Sequence, residues 1–277
     1  MSHRPRWIAA LRVLLLALVL LWSAFPIALV VLASLKPAKH IFDIPPSFLF
    51  LPTLENYRQL VRVWPEFFAR LGNSLVITLG TTALTVMASS LAGYVYARRK
   101  AGLLTASAFF AVLIRMFPPI VITLPLFPAV NWLGVMDTHG LLIVLYASFF
   151  VSLGTWIMKT FIDQIPHELE EAAFVDGASL AQTIRLVTLP LAAPGMIAAA
   201  VFVLVYAWNE FLFAFIFTTT RAKTAPLLLS EMLGAVTGVD WGAVFAAATI
   251  QLVPILVFVI AVQKYLIAGL TAGSVKG

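Results

Sequence analysis

Long apolar segments alternate with short polar ones along the chain, which is the pattern of a protein that crosses a membrane several times. A membrane-spanning helix needs about 20 predominantly apolar residues, and six segments meet this requirement. They cover approximately residues 7–35, 73–97, 104–130, 140–161, 195–219 and 243–267. The alternation of period two that is typical of a β-strand is not found. The sequence therefore predicts an all-α, polytopic membrane protein with six spans in one domain over residues 1–277.

The composition favours a membrane protein over a soluble one. The 277 residues are 62% hydrophobic and 11% charged, with a mean hydropathy of +1.01, and a soluble domain of this size needs more polar surface. The net charge of +6 does not indicate nucleic-acid binding, because the basic residues are scattered and mostly flank apolar segments. The chain contains no cysteine, so disulfides and thiolate metal sites are excluded. We expect membrane lipid as a partner, and neither nucleic acid nor metal.

Lysine and arginine residues near the ends of the spans predict the orientation, since they are enriched in cytoplasmic loops. Basic residues precede the first span and fill the connection between the second and third; these are Arg4, Arg6, Arg12, Arg98, Arg99 and Lys100. The connection between the third and fourth spans, NWLGVMDTH, has none. The long connection at residues 36–72 carries five, so the short loops decide the orientation. Both termini are therefore expected in the cytoplasm.

Carboxylates are concentrated in the cytoplasmic connection between the fourth and fifth spans. Five of the twelve acidic residues lie between Asp163 and Asp176. Local signals in this connection predict two short helices joined at a bend. They are Pro166 at a first helical position, Gly177 at a helix end, the capping-box pair Ser179 and Gln182, and a stop at Leu189, Pro190 and Pro194.

The first of these helices is expected to have an apolar side and an acidic side. Its apolar side carries Ile165, Leu169, Ala172 and Ala173. A surface that rests on the anionic inner leaflet is typically basic, so the acidic character of this segment favours a protein partner.

The same connection resembles the EAA motif of the membrane subunits of bacterial ATP-binding-cassette importers. Glu171-Ala172-Ala173 is followed after three residues by Gly177 and after nine more by Val187-Thr188-Leu189-Pro190, with Val187 where the motif usually has Ile. Further stretches resemble the carbohydrate branch of these permeases, the maltose and trehalose type. They are LKPAKHIFDIPPSF, PTLENY, RMFPP, AWNEFLFA and GLTAGSVKG.

The resemblance implies one half of a transport pore in a bacterial or archaeal inner or plasma membrane. Such a permease pairs with a second, homologous permease. Two ATPase subunits bind on the cytoplasmic side, and an extracytoplasmic solute-binding protein delivers a sugar or related solute. No G-x-x-x-x-G-K-[ST] stretch occurs. We therefore expect no catalytic residue and no cofactor in this chain, with ATP and Mg in the partner ATPase.

The resemblance also implies that residues 165–190 form the coupling segment, which lies in a groove of the ATPase. The residues expected to make this contact are Glu170, Glu171, Ala172, Ala173, Asp176, Gly177, Leu189 and Pro190. Small residues allow a close approach, and the carboxylates are expected to pair with basic residues around the groove. The tail at residues 269–277 is a second, weaker candidate contact.

A few polar and aromatic side chains within the spans are candidates for the solute pathway. They are Arg115, Phe117, Asn209, Glu210 and Gln251. Polar groups at mid-span are costly and face a cavity or a partner. Pairing between helices is the alternative role, and Arg115 with Glu210 is the expected pair.

Two other classes of function remain as alternatives. A secondary transporter or channel would have an inverted repeat or charged ion-coupling residues in several spans, and neither is found. A membrane-embedded enzyme would have paired His, Asp or Glu residues at catalytic spacing. The four histidines instead lie in loops or at the ends of spans; they are His3, His40, His139 and His167.

Overall fold

The structure is a computed structural model that describes residues 6–99, 101–236 and 238–272. The regular elements in these ranges are all helical, which confirms the all-α prediction. The α-helices are α1 Arg6–Ser34, α2 Glu55–Val63, α3 Phe67–Arg98, α4 Gly102–Met116, α5 Pro119–Trp132, α6 His139–Ile162, α7 His167–Val175, α8 Leu180–Thr183, α9 Leu189–Leu191, α10 Ala193–Trp208, α11 Leu212–Phe217, α12 Ala225–Leu233 and α13 Trp241–Ala272. A 3₁₀ turn lies at Ala38–His40, and a π-helical segment at Ile184–Thr188 joins α8 to α9.

Between four and six of these elements are long and apolar enough to cross a membrane. Within the described residues, α1, α3, α6 and α13 meet the requirement as single helices. Two further candidates are bent pairs, α4 with α5 at 95° and the α8–α9 segment with α10 at 73°. The first, second, fourth and sixth predicted spans therefore correspond to continuous helices, and the other two do not.

The third predicted span, residues 104–130, is broken in two. Phe117 and Pro118 have extended backbone, with ψ of 135° and 131°, and they separate α4 from α5. Consecutive prolines cause this break, because a residue before proline is driven out of the helical region and proline donates no backbone hydrogen bond. Pro125 within α5 and Pro254 within α13 do not end their helices. The third predicted span therefore corresponds to a bent pair of helices and not to one continuous helix.

The fifth predicted span, residues 195–219, is also interrupted. The helix α10 ends at Trp208, and Asn209, Glu210 and Phe211 lie between it and α11. The Glu210 carboxylate accepts hydrogen bonds from the backbone N–H groups of Phe213 and Ala214, at 3.0 and 3.4 Å. It thereby caps α11, whose first N–H groups have no partner within the helix. Asn209 and Glu210 are therefore not mid-helix residues, which corrects their predicted placement.

The chain divides into two compact units, and the single domain expected from the sequence stays a prediction. The first unit contains Met1–Phe67 and Leu229–Val253. Its buried Asn56 donates from Nδ2 to the carbonyl oxygens of Ser34 and Lys36, at 2.8 and 2.7 Å. This amide joins α2 to the end of α1.

The second unit contains Phe68–Leu228 and Pro254–Gly277, and α6 and α10 lie at its centre. Its apolar core is formed by buried side chains such as Leu142, Tyr146, Phe150, Val203, Phe213 and Phe217. Glycines allow the helices of this unit to pack closely. A Cβ atom at Gly93 of α3 would lie 2.6 Å from Cβ of Met158, and one at Gly195 of α10 would lie 2.7 Å from Cβ of Phe161. These contacts hold α3 and α10 against α6.

Candidate functional site

The first half of the coupling segment is a short helix with a glycine at its end. The helix α7 starts after Pro166, as predicted. Gly177 has φ of +85°, a left-handed conformation that glycine adopts without steric cost. The N–H of Ala178 donates to the carbonyl of Ala173 at 2.9 Å, and that of Gly177 to Phe174 at 3.0 Å. These two bonds form a Schellman motif and confirm the predicted bend at Gly177.

The second half begins at the predicted capping box and ends at Leu191. The backbone N–H of Ser179 donates to Oε1 of Gln182 at 2.8 Å, and Ser179 Oγ accepts from the N–H of Gln182 at 3.4 Å, which confirms the capping box. The helical path continues through the π-helical segment and past Pro190 to Leu191. The π segment shifts the hydrogen-bonding register, so Pro190 falls in the first turn of α9, where a missing N–H is tolerated. The helical path therefore ends at Leu191, among the predicted stop residues Leu189, Pro190 and Pro194, and the chain turns into α10 at Ala192.

Glu170 is not part of the surface of the segment, which corrects its predicted role as a docking carboxylate. Its side chain is 6% exposed, and that of Arg98 is 7% exposed. Its Oε1 accepts hydrogen bonds from Nε and Nη2 of Arg98, at 3.1 and 3.0 Å, and from Thr188 Oγ1 at 2.8 Å. Its Oε2 accepts from the Tyr94 hydroxyl at 3.1 Å. The carboxylate is therefore buried and fully hydrogen-bonded.

We call Tyr94, Arg98, Glu170 and Thr188 the buried clamp. Arg98 Nη2 also donates to the carbonyl of Ile165 at 3.0 Å, so the clamp joins the end of α3 to both halves of the coupling segment. Burial raises the pKa of Glu170, but the hydrogen bonds from Arg98, Thr188 and Tyr94 and the charge of Arg98 outweigh it, and the net pKa is lowered. The carboxylate is therefore ionised at neutral pH, as a buried pair with Arg98 requires.

The side chains left on the surface of the segment are both acidic and apolar. Of the predicted contact residues, Glu171, Ala172, Asp176, Gly177 and Pro190 are exposed, and Ala173 and Leu189 are half-buried. Of the predicted apolar face, Ile165 is buried and Leu169 is 45% exposed. Further exposed apolar side chains are Phe174, Val175, Leu180 and Leu186. Several large apolar side chains exposed near carboxylates favour a protein contact.

The predicted pairing of Arg115 with Glu210 is not formed directly. No ion pair joins them within the described residues, because Glu210 caps α11. The Arg115 guanidinium lies 5.3 Å from the ring centre of Phe149, at a distance typical of a cation–π contact. Arg115 also lines a cavity of about 300 Å³ with Ser148 and Ser152 of α6.

The other candidates for the solute pathway lie in different settings. Phe117 is 58% exposed in the break before α5, and Asn209 is exposed, with Nδ2 donating to the carbonyl of Val205 at 2.8 Å. Gln251 belongs to the first unit, and its buried Oε1 has no hydrogen-bond partner within the described residues. The pathway through these residues stays a prediction.

No group of three His, Asp or Glu suited to a metal ion occurs in the described part of the chain.

Sequence reasoning missed a second polar cluster, which lies around Asp137 before α6. Asp137 has φ of +57°, and its carboxylate accepts six hydrogen bonds from one loop. The donors are the backbone N–H groups of Thr219, Thr220, Arg221 and Ala222 and the hydroxyls of Thr219 and Thr220, at 2.8 to 3.2 Å. The only local signal for it is an Asp in a Gly-containing turn, and the loop that it binds is about 80 residues away.

The tail at residues 269–277 and two of the basic residues used for orientation cannot be placed in this geometry. Residues 273–277, Arg4 and Lys100 lie outside the described residues. The side chains of residues 264–272 also fall outside what the structure describes. The tail contact stays a prediction.

The fold agrees with the comparisons to known proteins. Residues 85–271 match the family of binding-protein-dependent transport system inner membrane components. The chain belongs to this family. It is 37% identical to the trehalose/maltose transport system permease protein MalG of Thermococcus litoralis over 244 residues, which cover 85% of this chain and 88% of MalG. It is also 37% identical to the trehalose transport system permease protein SugB of Mycobacterium tuberculosis over 264 residues, 94% of this chain and 95% of SugB.

A solved structure shows the same fold over nearly the whole chain. A bacterial ABC transporter involved in the import of the acidic polysaccharide alginate has a chain that matches with a TM-score of 0.76 and 19% identity, covering 96% of this chain and 98% of that one. The resemblance to importer permeases is thereby confirmed. The protein is a membrane permease subunit of an ABC importer, and nothing in the comparisons supports a secondary transporter or a channel.

Proposed function

We propose that this permease forms half of the translocation pathway for a sugar or related solute and is driven by separate ATPase subunits. The observation that carries the proposal is the coupling segment. Two short helices meet at Gly177, are fixed to α3 by the buried clamp, and present carboxylates and apolar side chains outward. Relatives named for trehalose and maltose transport support a sugar as the transported solute.

ATP hydrolysis is assigned to a partner because the sequence has no P-loop of its own. ATP and Mg therefore bind in the ATPase, and this chain is not itself an enzyme. The exposed Glu171 and Asp176 are proposed to pair with basic residues around a groove of the ATPase. Phe174 and Val175 would be buried in that contact, which supplies its hydrophobic part.

Movement of the ATPase would reach the spans by two routes. The first is the buried clamp, through which a displacement of the coupling segment moves Arg98 at the end of α3. The second is the continuous path from α8 to α9, which turns into α10 at Ala192. Both routes end in helices packed on α6 through glycines, so α3, α6 and α10 are proposed to move as a body during alternating access.

The remaining partners follow from the architecture of the transport system. A second, homologous permease completes the pathway, and an extracytoplasmic solute-binding protein supplies the solute. The protein is proposed to lie in the bacterial or archaeal inner or plasma membrane with both termini in the cytoplasm.

Reconstitution tests the proposal. The permease, its partner permease and the ATPase, placed in liposomes with the binding protein outside, should take up labelled trehalose or maltose only when ATP is present inside, on the coupling-segment side. The purified permease alone should hydrolyse no ATP. ATPase activity of the isolated subunit, or uptake independent of ATP, contradicts an ATP-driven importer. Uptake of a different class of solute by the full assembly contradicts only the assignment of a sugar as the solute, and not the ATP-driven import.

A further inference from the structure

An apolar groove lies beside the end of α1, within the first unit. It encloses about 580 Å³, and we call it the α1 groove. The last turns of α1 form one wall with Phe25, Leu29 and Val30, and the connection after α1 forms another with Phe42 and Phe48. A cavity of this size, with an apolar lining and few polar groups, is typical of a site for a small ligand.

A buried lysine opens into the α1 groove. Lys36 and Ser47 are the polar side chains among its described lining residues. Lys36 is only 7% exposed, and its Nζ lies 5.7 Å from the ring centre of Phe50, as in a cation–π contact. No hydrogen bond or ion pair to this ammonium is found in the part of the chain that the structure describes.

The two carboxylates nearest to Lys36 along the chain bind other side chains. Oδ2 of Asp43 lies 2.8 Å from Nδ1 of His40, and Oε2 of Glu55 lies 3.4 Å from Nη1 of Arg58. A charged group that is removed from water is costly unless it is paired. The usual compensation is a charge-assisted hydrogen bond to an anion. The groove therefore contains a buried cation whose anion is not supplied by these residues.

The backbone holds Lys36 in this position. Asn56 Nδ2 donates to the carbonyl oxygens of Ser34 and Lys36, at 2.8 and 2.7 Å. The N–H of Thr53 donates to the carbonyl of Leu35 at 2.8 Å. These bonds tie the end of α1 to the residues around the start of α2. The ammonium is therefore placed at the groove by the fold itself.

Lys36 also lies at the depth where a membrane has its phosphate groups. The apolar span within α1 covers Ala10–Ser34 and ends two residues before it. Lysine side chains near the ends of spans reach the lipid headgroups. Large exposed apolar side chains follow in the same connection, which favours contact with a membrane over contact with water; they are Phe42, Ile44, Phe48, Leu49 and Leu51.

We propose that the α1 groove binds an anionic phospholipid, with its phosphate on the Lys36 ammonium and an acyl chain against the apolar wall of α1. Free phosphate offers the same anion, but it would leave the apolar lining uncovered. A second permease that covered the groove would have to bury a carboxylate of its own against Lys36, whereas lipid phosphate is already present at this depth. The site is independent of the transported solute.

The test measures lipid binding to the complete, delipidated transporter in detergent. Phosphatidylglycerol and phosphatidylcholine with the same acyl chains are titrated separately, and bound lipid is counted by native mass spectrometry. The wild type should bind phosphatidylglycerol roughly tenfold more tightly, because a charge-assisted hydrogen bond is worth at least this factor and the choline cation weakens it in the neutral lipid. Inorganic phosphate at the same concentrations should not displace the phosphatidylglycerol.

Substitutions at two lysines test the role of the ammonium. Lys36→Met keeps a long side chain without the charge, so the two lipids should bind equally. Lys36→Arg keeps the charge and should retain the preference for phosphatidylglycerol. The matched control is Lys39→Met, at an exposed lysine of the neighbouring 3₁₀ turn, which should also retain it.

A further variant fills the groove and leaves the cation in place. Leu29→Trp adds a bulky ring to the wall formed by α1 and should weaken the binding of both lipids. This variant decides the test if Lys36→Met does not assemble, and unchanged binding of phosphatidylglycerol to it then overturns the inference.

Three other results also overturn the inference. The first is equal binding of the two lipids to the wild type, or no binding, as expected if the second permease covers the groove. The second is displacement of phosphatidylglycerol by inorganic phosphate, which would show a site for the free anion. The third is a preference that survives in Lys36→Met or is lost equally in Lys39→Met. None of these results bears on ATP-driven uptake, which the reconstitution tests separately.

Discussion

Single carboxylates in this protein act mainly as internal acceptors. Glu170, Glu210 and Asp137 each bind backbone or side-chain donors of the same chain, although two of them had been predicted as partner or solute contacts. Each holds a place where the backbone departs from a straight helix. Of the carboxylates predicted to contact a partner, Glu171 and Asp176 are exposed.

A double-mutant cycle on the buried clamp should show strong coupling. Arg98→Gln or Glu170→Gln leaves one charge buried and unpaired, which typically costs about 3–5 kcal/mol, whereas replacing both is less damaging. We expect each single variant to lower the melting temperature of the purified transporter and its sugar uptake, and the double variant to recover part of both. Glu168→Gln, at an exposed carboxylate of the same helix, is the control. Losses that add without recovery would show that the two residues act separately.

The clamp should also make the protein sensitive to acid. The pKa of Glu170 is lowered from its ordinary value of 4.5, so its contribution to stability is fully present above that value and is lost as the pH falls through the lowered pKa. The melting temperature of the wild type should therefore fall more steeply between pH 6 and the lowest pH that the transporter tolerates than that of Glu170→Gln. Parallel curves for the two proteins would contradict this assignment.

Among the elements, α3 and α6 depend on glycine for their close packing. Gly93 leaves no room for a Cβ atom, since Cβ of Met158 and the backbone nitrogen of Lys159 would be 2.6 and 2.9 Å away. Backbone atoms cannot move aside as the end of a side chain can. The contact is therefore sterically fixed.

Gly93→Ala should destabilise the transporter by about 1–3 kcal/mol, the usual cost of overpacking. Gly72→Ala is the matched control on the same helix, because nothing lies within 4 Å of a Cβ atom there, and alanine favours a helix by up to about 1 kcal/mol. Thermal melting of the purified complex measures both. Equal melting temperatures for the two variants would mean that the helices separate easily.

Across the whole molecule, the coupling segment and the loop bound by Asp137 lie at the two ends of α6. The predicted topology places the first in the cytoplasm and the second outside. The chain has no cysteine, so single cysteines can report the orientation directly.

Glu168→Cys and Arg62→Cys, both at exposed positions, should give opposite results with a membrane-impermeant maleimide. In intact cells or spheroplasts, Arg62→Cys should be labelled and Glu168→Cys protected until the membrane is permeabilised. Labelling of both before permeabilisation would overturn the orientation.

Local chemistry was enough to predict most of the helices and the ends of the coupling segment. Apolar length identified α1, α3, α6 and α13, because crossing a membrane requires about 20 apolar residues whatever their neighbours. The cap at Ser179 and the bend at Gly177 depend on a few adjacent residues, so their signals are local. The spacing of the EAA motif gave the family for the same reason.

Tertiary contacts decided what the polar residues do. Sequence alone does not show that Glu170 turns inward, because Arg98 is 72 residues away and helix periodicity gives no information about that separation. The same holds for Asp137 and its loop, 82 to 85 residues apart. The end of α10 at Trp208 could not be predicted from the sequence either, since residues 195–219 are apolar enough for one helix. The capping of α11 by Glu210 stabilises the break. Burial and long-range hydrogen bonds thus determined the roles of groups whose chemistry was already evident.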